Sequence, residues 1–424
     1  MSRRRFLNGL GVAGTAAVAA GYGLTVWRDG GSTSSTTAAT TPTSVPRLGG
    51  GHADRTLVVV ELAGGNDGLD TVVPTVDPAY RTLRPTLGVT DAVALDDSIG
   101  LHPKLSKLAA RYRAGQVAVV EGVGYGEPNL SHFASLGYWW SGTPGTTGNT
   151  GWLGRYLDAT VGFADPLAAV SVGPVPSPAL LGAHSFATSI ADTTGLQPRL
   201  PAWVDTPDDL VAAWSRFAPA TPDPTTVLGE IERAIQLTAR ARRELTGTLH
   251  PSSGATNGQY VREQTARAAL ALAAQLVVAD HAPRVIYVNG VGDYDTHQGE
   301  AQRHPALMED LDAAIDGFFS VLDAAGASDR ALIMTVSEFG RRPAENGSGT
   351  DHGTAAPHFL IGTKVKGGRY GAPPSLTQLD EHGNLVYTTD FRVLYATAMQ
   401  AWLGVEAESI VGRGFEPLPV ITDP

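Results

Sequence analysis

The 424-residue chain contains no cysteine, and this absence excludes several kinds of chemistry. A disulfide framework, a thiolate nucleophile and a thiolate zinc site are all impossible. Any bound metal ion must therefore have oxygen and nitrogen ligands. Basic residues are also few, 31 Lys and Arg against 42 Asp and Glu, which gives a net charge of -11. This charge disfavours nucleic acid as a partner.

Residues 1–29 have the pattern of a twin-arginine export signal. Arginines at positions 3–5 precede a phenylalanine-leucine pair, and a weakly hydrophobic run rich in Gly and Ala follows as far as Trp27. The run has little Leu and Ile, which argues against a firm membrane anchor. We expect an exported protein, located in the periplasm, in the cell envelope or outside the cell. It would touch the membrane only through this segment, if the segment stays uncleaved.

Residues 30–54 are rich in Ser, Thr and Gly, and we interpret them as a flexible linker. For residues 55–424 we predict one α/β domain with a mainly parallel central sheet and helices on both faces. Apolar runs predict buried strands at Thr56–Leu62, Val117–Glu121, Ala168–Val172, Arg284–Val288 and Ala331–Val336. Helical periodicity predicts helices at Thr226–Leu245, Gln259–Ala279 and Pro305–Ala325. The proline-dotted stretch from about 174 to 224 is predicted to be an irregular insertion.

Side chains that can bind metal ions or act in catalysis follow four of the predicted strands. They are Asn66 and Asp67; Ser131 and His132; Asp293, Asp295 and His297; and finally Glu338, Asp351, His352 and His358. Because the carboxyl ends of parallel strands lie at one edge of a sheet, we expect these groups to converge. The spacing Asp293-x-x-x-His297 lets one loop offer a carboxylate and an imidazole to a single cation. Asp351 and His352 are adjacent in a predicted glycine-framed loop, so their side chains diverge and suit two neighbouring metals, or one metal with a supporting partner.

Each of these motifs also has a purely structural interpretation. A turn accounts for Asn66 and Asp67, since Asn, Asp and Gly all favour turns. A helix N-cap accounts for Ser131. An ion pair with a nearby arginine, Arg341 or Arg342, accounts for Glu338.

The order of the motifs resembles domain-of-unknown-function family 1501. The motifs are Gly-Gly-Asn-Asp-Gly at 64–68, Leu-Ser-His-Phe at 130–133, Tyr-Asp-Thr-His at 294–297, Ser-Glu-Phe-Gly-Arg at 337–341 and Gly-Thr-Asp-His-Gly at 349–353. The resemblance covers essentially Arg55 to the carboxyl terminus. It implies twin-arginine export and a fold of the alkaline phosphatase and sulfatase superfamily, without an established substrate.

That superfamily binds two divalent metals at strand ends, bridged by a Ser or Thr nucleophile at a helix amino terminus. The resemblance implies one metal bound by Asp293, His297 and His358, and a second bound by Asp67, Asp351 and His352. Ser131 is then the candidate nucleophile, and we also count His132 beside it as a candidate catalytic residue. Glu338 stands at the strand end where the superfamily has its Asp-His pair, so it is an alternative metal ligand. Glu61 is similarly an alternative to Asp67.

We therefore expect an exported hydrolase of phosphate or sulfate esters with a Ser nucleophile and one or two divalent metals, zinc or another transition metal. The substrate would be a small-molecule or polymer ester. The alternative is a non-catalytic binding or assembly protein that retains the fold and has an envelope protein as its partner. A formylglycine sulfatase is disfavoured, because the Pro and Arg that its maturation machinery requires do not follow Ser131.

Overall fold

The computed structural model describes residues 16–19, 24–27, 52, 54–146, 148–173, 175–191, 205–216, 221–223, 226–245, 249 and 264–422. The arginines of the predicted export signal and nearly all of the predicted linker lie outside these described residues. No helix in the described ranges combines the length and the apolar composition needed to cross a membrane.

The described strands, in chain order, are β1 (Ala16–Ala19), β2 (Leu24–Trp27), β3 (Thr56–Leu62), β4 (Val72–Val73), β5 (Val93–Ala94), β6 (Gly100–Leu101), β7 (Val117–Gly124), β8 (Ala169–Val172), β9 (Thr188–Ile190), β10 (Val285–Val291), β11 (Ala331–Val336), β12 (Arg341–Glu345), β13 (Thr350–His352), β14 (Ala356–Ile361), β15 (Gly368–Tyr370) and β16 (Thr389–Asp390).

The α-helices are α1 (Gly68–Thr71), α2 (Pro78–Leu83), α3 (Ser106–Arg113), α4 (His132–Ser141), α5 (Trp152–Thr160), α6 (Pro207–Ser215), α7 (Val227–Leu245), α8 (Ala266–Val277), α9 (Glu300–Ala324), α10 (Phe391–Ala396) and α11 (Glu408–Val411). Short 3-10 helices span Pro178–Leu180 and Ser328–Arg330, and a π-helix, Thr397–Trp402, follows α10.

The central sheet has nine strands, in the order β15-β7-β14-β11-β3-β10-β8-β9, with β16 also paired to β7. Every pairing in this sheet is parallel except the two that β14 makes with β11 and β7. The predicted mainly parallel sheet is thus confirmed. Strand β9 comes from the stretch predicted to be an irregular insertion, so part of that stretch is the edge of the main sheet.

Two hydrophobic cores cover the two faces of the sheet. In β3, Val58, Val60 and Leu62 belong to one core, whereas Leu57 and Val59 belong to the other. This alternation follows from the two-residue period of a strand. Helices α3, α8 and α9 contribute to the first core, and α4, α5 and α10 contribute to the second. The prediction of helices on both faces is confirmed as well.

The region after β11 differs from the prediction. Residues 347–358 were expected to form a loop, but Asp351 and His352 lie in β13, which forms an antiparallel hairpin with β12. His358 lies in β14, in the middle of the sheet. The apolar run that ends this stretch pairs with two strands at once, and this pairing buries it. Helix α9 also begins at Glu300, five residues before the expected start, with Pro305 inside it.

Candidate metal centre

Four side chains meet at the carboxyl ends of the parallel strands. His132 is the first residue of α4, which follows β7; Asp295 and His297 follow β10; and His352 ends β13. We call His132, Asp295, His297 and His352 the imidazole cluster. Ligand atoms of its members His132, Asp295 and His352 lie within 4.8 Å of one another. The fold therefore brings together residues that are up to 220 positions apart in the chain, as expected for side chains that follow strands of one sheet.

The distances within the imidazole cluster match those between the ligands of one metal ion. His352 Nε2 lies 3.1 Å from Asp295 Oδ1 and 2.9 Å from His297 Nε2. His297 Nε2 lies 3.3 Å from Asp295 Oδ1, and His132 Nε2 lies 3.6 Å from Asp295 Oδ2. Ligands at about 2.0–2.2 Å from a tetrahedral zinc ion are separated by about 3.3–3.6 Å. These four distances, from 2.9 to 3.6 Å, are close to that separation, so these atom pairs have the spacing of metal ligands.

The Nδ1 atom of each imidazole in the cluster has its own acceptor. These acceptors are Glu338 Oε1 for His132 at 2.7 Å, Asp351 Oδ1 for His297 at 3.0 Å, and Leu130 O for His352 at 2.8 Å. A backbone carbonyl can only accept, and carboxylates accept when ionised, so each Nδ1 carries the proton. All three Nε2 lone pairs then face the cluster. Two such lone pairs at 2.9 Å repel each other unless a proton or a cation lies between them.

Electrostatics keep the carboxylate of the cluster ionised. Burial acts to raise the pKa of Asp295, but the hydrogen bond from Arg341 and its positive charge outweigh it and lower the pKa to about 2. Hydrogen bonds from Asn346 and His297 likewise lower the pKa of Asp351. The hydrogen bond to Glu338 raises the pKa of His132, whereas burial lowers that of His352. The ionised carboxylate of Asp295 and the lowered pKa of His352 favour the forms that bind metals, whereas the raised pKa of His132 favours its protonated form, from which a metal would have to displace the proton.

The donor set fits a transition metal such as zinc. Three imidazole nitrogens and one carboxylate oxygen are ligands that zinc accepts. The partners of the Nδ1 atoms, two carboxylates and a carbonyl, are those that commonly orient metal-binding histidines. The side chains of the cluster remain between 19% and 41% exposed, so a small molecule can reach the site.

Three of the predicted ligands lie elsewhere. The Asp293 carboxylate is paired with Arg303 at 2.6 Å, so Asp295 rather than Asp293 is the carboxylate beside His297. His358 is 2% exposed and packs against the Trp139 ring; burial lowers its pKa to about 3. Asp67 is buried and paired with Arg84. The two predicted sets of metal ligands therefore do not form separately. Instead, the imidazole cluster contains His297 from the first set and His352 from the second.

Asp67 belongs to a second group of acids, which we call the acidic cluster: Asp67, Asp70 and Glu300. Their oxygens also lie within 4.8 Å of one another, and all three residues are buried. The Arg84 guanidinium bonds Asp67 and lies 2.9 Å from Asp70. Burial opposes it, but the positive charge of Arg84 lowers the pKa of Asp67. Burial and the negative charge of Asp67 raise the pKa values of Asp70 and Glu300.

The three remaining candidate residues, Ser131, Glu338 and Glu61, have different environments. Ser131 is the N-cap position of α4; it is exposed, and its hydroxyl makes no capping hydrogen bond. Glu338 holds Nδ1 of His132, so in this arrangement it supports a ligand instead of being one. Glu61 is buried and accepts hydrogen bonds from Trp140 and Tyr287, each at 2.7 Å. Burial raises its pKa to about 7.

Two arginines at these clusters were not predicted to be site residues, Arg341 and Arg84. Arg341 was considered only as a partner of Glu338, but it bonds Asp295 at 2.7 Å. Its place in the motif Ser-Glu-Phe-Gly-Arg was the available signal. Arg84 lies in no motif, and only the fold brings it to Asp67.

A family model described as "Protein of unknown function (DUF1501)" matches residues 54–411. No curated protein matches this chain.

Similar solved structures include the C-terminal periplasmic domain of EcEptC from Escherichia coli in complex with Zn, at 10% identity and a TM-score of 0.41, with 90% of this chain and 92% of that chain covered. Another is the wild type alkaline phosphatase PafA, at 12% identity and a TM-score of 0.41, with 89% and 100% covered. A third is a protein in the alkaline phosphatase superfamily from Vibrio parahaemolyticus, at 12% identity and a TM-score of 0.35, with 90% and 76% covered. At these values the chemistry of the site has to be argued from its own residues.

Proposed function

We propose that this chain, which belongs to the DUF1501 family, is a metal-dependent hydrolase of phosphate or sulfate esters. Its substrate is a small-molecule or polymer ester. One divalent metal ion, zinc or another transition metal, is held by His132, Asp295, His297 and His352. The observation that carries this proposal is the convergence of three Nε2 lone pairs on one ionised carboxylate.

The amino terminus of α4 supports an anionic substrate. Its first N–H groups have no partners within the helix, and the helix dipole places positive potential there. Ser131 and His132 begin this helix, so the free N–H groups are next to the imidazole cluster. A bound phosphate or sulfate group would accept hydrogen bonds from these N–H groups.

The candidate nucleophile is the hydroxyl of Ser131. It is exposed and makes no capping bond, so it is not committed to the helix end. A bound metal ion would polarise the ester oxygen and lower the pKa of a nearby hydroxyl. The protein's own groups would orient the anion on α4 and keep His132 in the tautomer that leaves Nε2 free.

We also propose that the protein is exported by the twin-arginine route. The arginines at positions 3–5 and the weakly hydrophobic run after them support this route. A fusion of residues 1–54 to a reporter that is active only after export should give activity in cells with a functional twin-arginine pathway. Changing the arginines at positions 3–5 to lysine should abolish this activity, and an unchanged signal would refute the route.

The hydrolase proposal is tested with zinc-loaded protein and a set of aryl phosphate, phosphodiester and aryl sulfate substrates. Ser131→Ala should lower turnover by about 10³-fold or more and leave zinc affinity unchanged. Ser106→Ala is the matched control, an exposed serine at the first turn of α3, and should keep full turnover. Undiminished turnover in Ser131→Ala would show that Ser131 is not the nucleophile. Loss of zinc without loss of turnover would refute a metal-dependent mechanism.

One observation favours the alternative of a non-catalytic binding or assembly protein. Ligands for a single metal ion meet in the imidazole cluster, whereas the resemblance implies two ions. Such a protein would bind zinc and then inorganic phosphate, both measurable by calorimetry, but it would release no product from any ester in the set.

A further inference from the structure

We propose that Arg341 is the positioning residue of the imidazole cluster: its guanidinium holds Asp295 in place and joins two chain segments that carry metal ligands to the turn after β3. This inference rests on the proposed metal site. Arg341 would touch neither the metal nor the substrate, but it would set the relative positions of the metal ligands.

The contacts of Arg341 reach three segments, two of which carry metal ligands. Its side chain is 0% exposed. It donates from Nε to Gly65 O at 2.7 Å and from Nη1 to Thr350 O at 3.0 Å, and the two N–H groups of Nη2 are shared among Gly64 O, Tyr294 O at 3.0 Å and Asp295 Oδ1 at 2.7 Å. These acceptors belong to the turn after β3, the loop after β10 and strand β13. One planar side chain therefore sets the relative positions of the elements that present Asp295, His297 and His352.

The turn after β3 extends this arrangement to His132. Gly64 N donates to Glu338 Oε1 at 2.9 Å, and the same oxygen lies 2.7 Å from His132 Nδ1. Arg341 binds the carbonyl of the same residue, Gly64. The backbone there also packs directly on the next loop: a Cβ on Gly64, which has φ +112°, would lie 2.4 Å from Asp295 N. Only glycine allows this close approach. Arg341 is therefore bonded to a turn that contacts the loop carrying Asp295 and is linked through Glu338 to His132.

Lysine cannot replace these contacts. Arginine offers five N–H donors in a rigid plane, whereas lysine offers three donors on a flexible chain. In Arg341→Lys the positive charge remains, but at most three of the five acceptors can be satisfied. We expect Asp295 and the turn after β3 to lose their defined positions while the core is kept. Supporting residues around a metal site typically change its affinity by about 10–100-fold.

The test is the zinc affinity of Arg341→Lys, measured by competition with a chromophoric chelator at pH 7.5. We expect the dissociation constant to rise about 10–100-fold, and the increase in melting temperature on adding zinc to shrink. Arg369→Lys is the control, because Arg369 also makes several hydrogen bonds, but to Glu121, Ser98 and Asp96, none of which belongs to the imidazole cluster. This control should bind zinc like the wild type.

A purely structural role would lower the melting temperature of the Arg341→Lys apoprotein and leave its zinc affinity within twofold of the wild type; that result would overturn the inference. If Arg341→Lys does not fold, Arg341→Gln combined with Asp295→Asn gives a second measurement. Because part of the effect of Arg341 acts through Asp295, the double variant should lose less zinc affinity than the two single substitutions added together, and fully additive losses would contradict the proposal. Wild-type protein that binds no zinc would instead refute the proposed function.

Discussion

The imidazole cluster and the acidic cluster lie beyond the carboxyl ends of strands of the same sheet, yet their charges are balanced in different ways. In the acidic cluster a buried guanidinium, Arg84, already bonds two of the three carboxyl groups. In the imidazole cluster the cation Arg341 bonds one oxygen of Asp295, while three Nε2 lone pairs have no donor assigned to them. Similar residue types thus produce one closed network and one site with free coordination capacity.

The difference between the two clusters shows that ligand-type residues alone do not identify a metal site. Asp67 was predicted to be a ligand, but it caps α1, accepting from Leu69 N and Asp70 N, and its other oxygen bonds Arg84. Those bonds leave it little capacity for a metal. Histidine is different, since anchoring Nδ1 leaves Nε2 available. The tautomer of each imidazole, set by the partner of Nδ1, therefore indicates whether that histidine can bind a metal.

The largest effect should come from Arg84→Met in the acidic cluster. Arg84 and Asp67 side chains are both 0% exposed, so the substitution leaves a buried carboxylate without its counter-charge. We expect a loss of about 3–5 kcal/mol in the free energy of unfolding, measured with urea. Zinc affinity should stay within twofold of the wild type. A large loss of zinc affinity in folded protein would contradict the separation of the two clusters.

The next largest effect should come from His352→Ala in the imidazole cluster. His352 Nε2 faces both Asp295 and His297, so the variant loses a ligand outright. Zinc affinity should fall by more than the roughly 100-fold that loss of a supporting residue can cause. Asp70→Asn, which alters the acidic cluster instead, is the control and should bind zinc normally. Equal zinc affinity in His352→Ala and the wild type would remove His352 from the site.

A smaller effect should appear in the pH dependence of stability of Glu300→Gln. Burial and the charge of Asp67 raise the pKa of Glu300 above its ordinary value of 4.5, so the folded protein keeps a proton that the unfolded chain releases. This contribution to stability is full below pH 4.5 and decreases as the pH rises above it. The variant should lose less stability than the wild type between pH 5 and pH 8 in urea unfolding. Parallel pH profiles would show that Glu300 is ionised in the folded state.

The sequence was sufficient for the parts of the fold that depend on local pattern. Apolar runs located β3 and β11 at their observed bounds, and the rule that parallel strands present chemistry at their carboxyl ends brought His132, Asp295 and His352 to one place. Strand β14 was not predicted because it is defined by its pairing with β7 and β11. Pairing with strands elsewhere in the chain produces no periodic pattern in the local sequence. Glycine and proline around it also suggested a loop.

The roles of the site residues depended on contacts that sequence spacing does not encode. The spacing of Asp293 and His297 predicted a shared cation, but Arg303, one turn into α9, binds Asp293 instead. His358 has the right chemistry for a ligand, yet its place in a central strand buries it among core side chains. In each case a tertiary neighbour decided whether a side chain was free to bind a metal.

The most direct test of the metal site is anomalous diffraction at the zinc absorption edge from crystals grown with zinc. We expect one strong peak between Asp295 and the Nε2 atoms of His132, His297 and His352, and none among Asp67, Asp70 and Glu300. A peak within the acidic cluster, or no ordered zinc at the imidazole cluster at full loading, would contradict it.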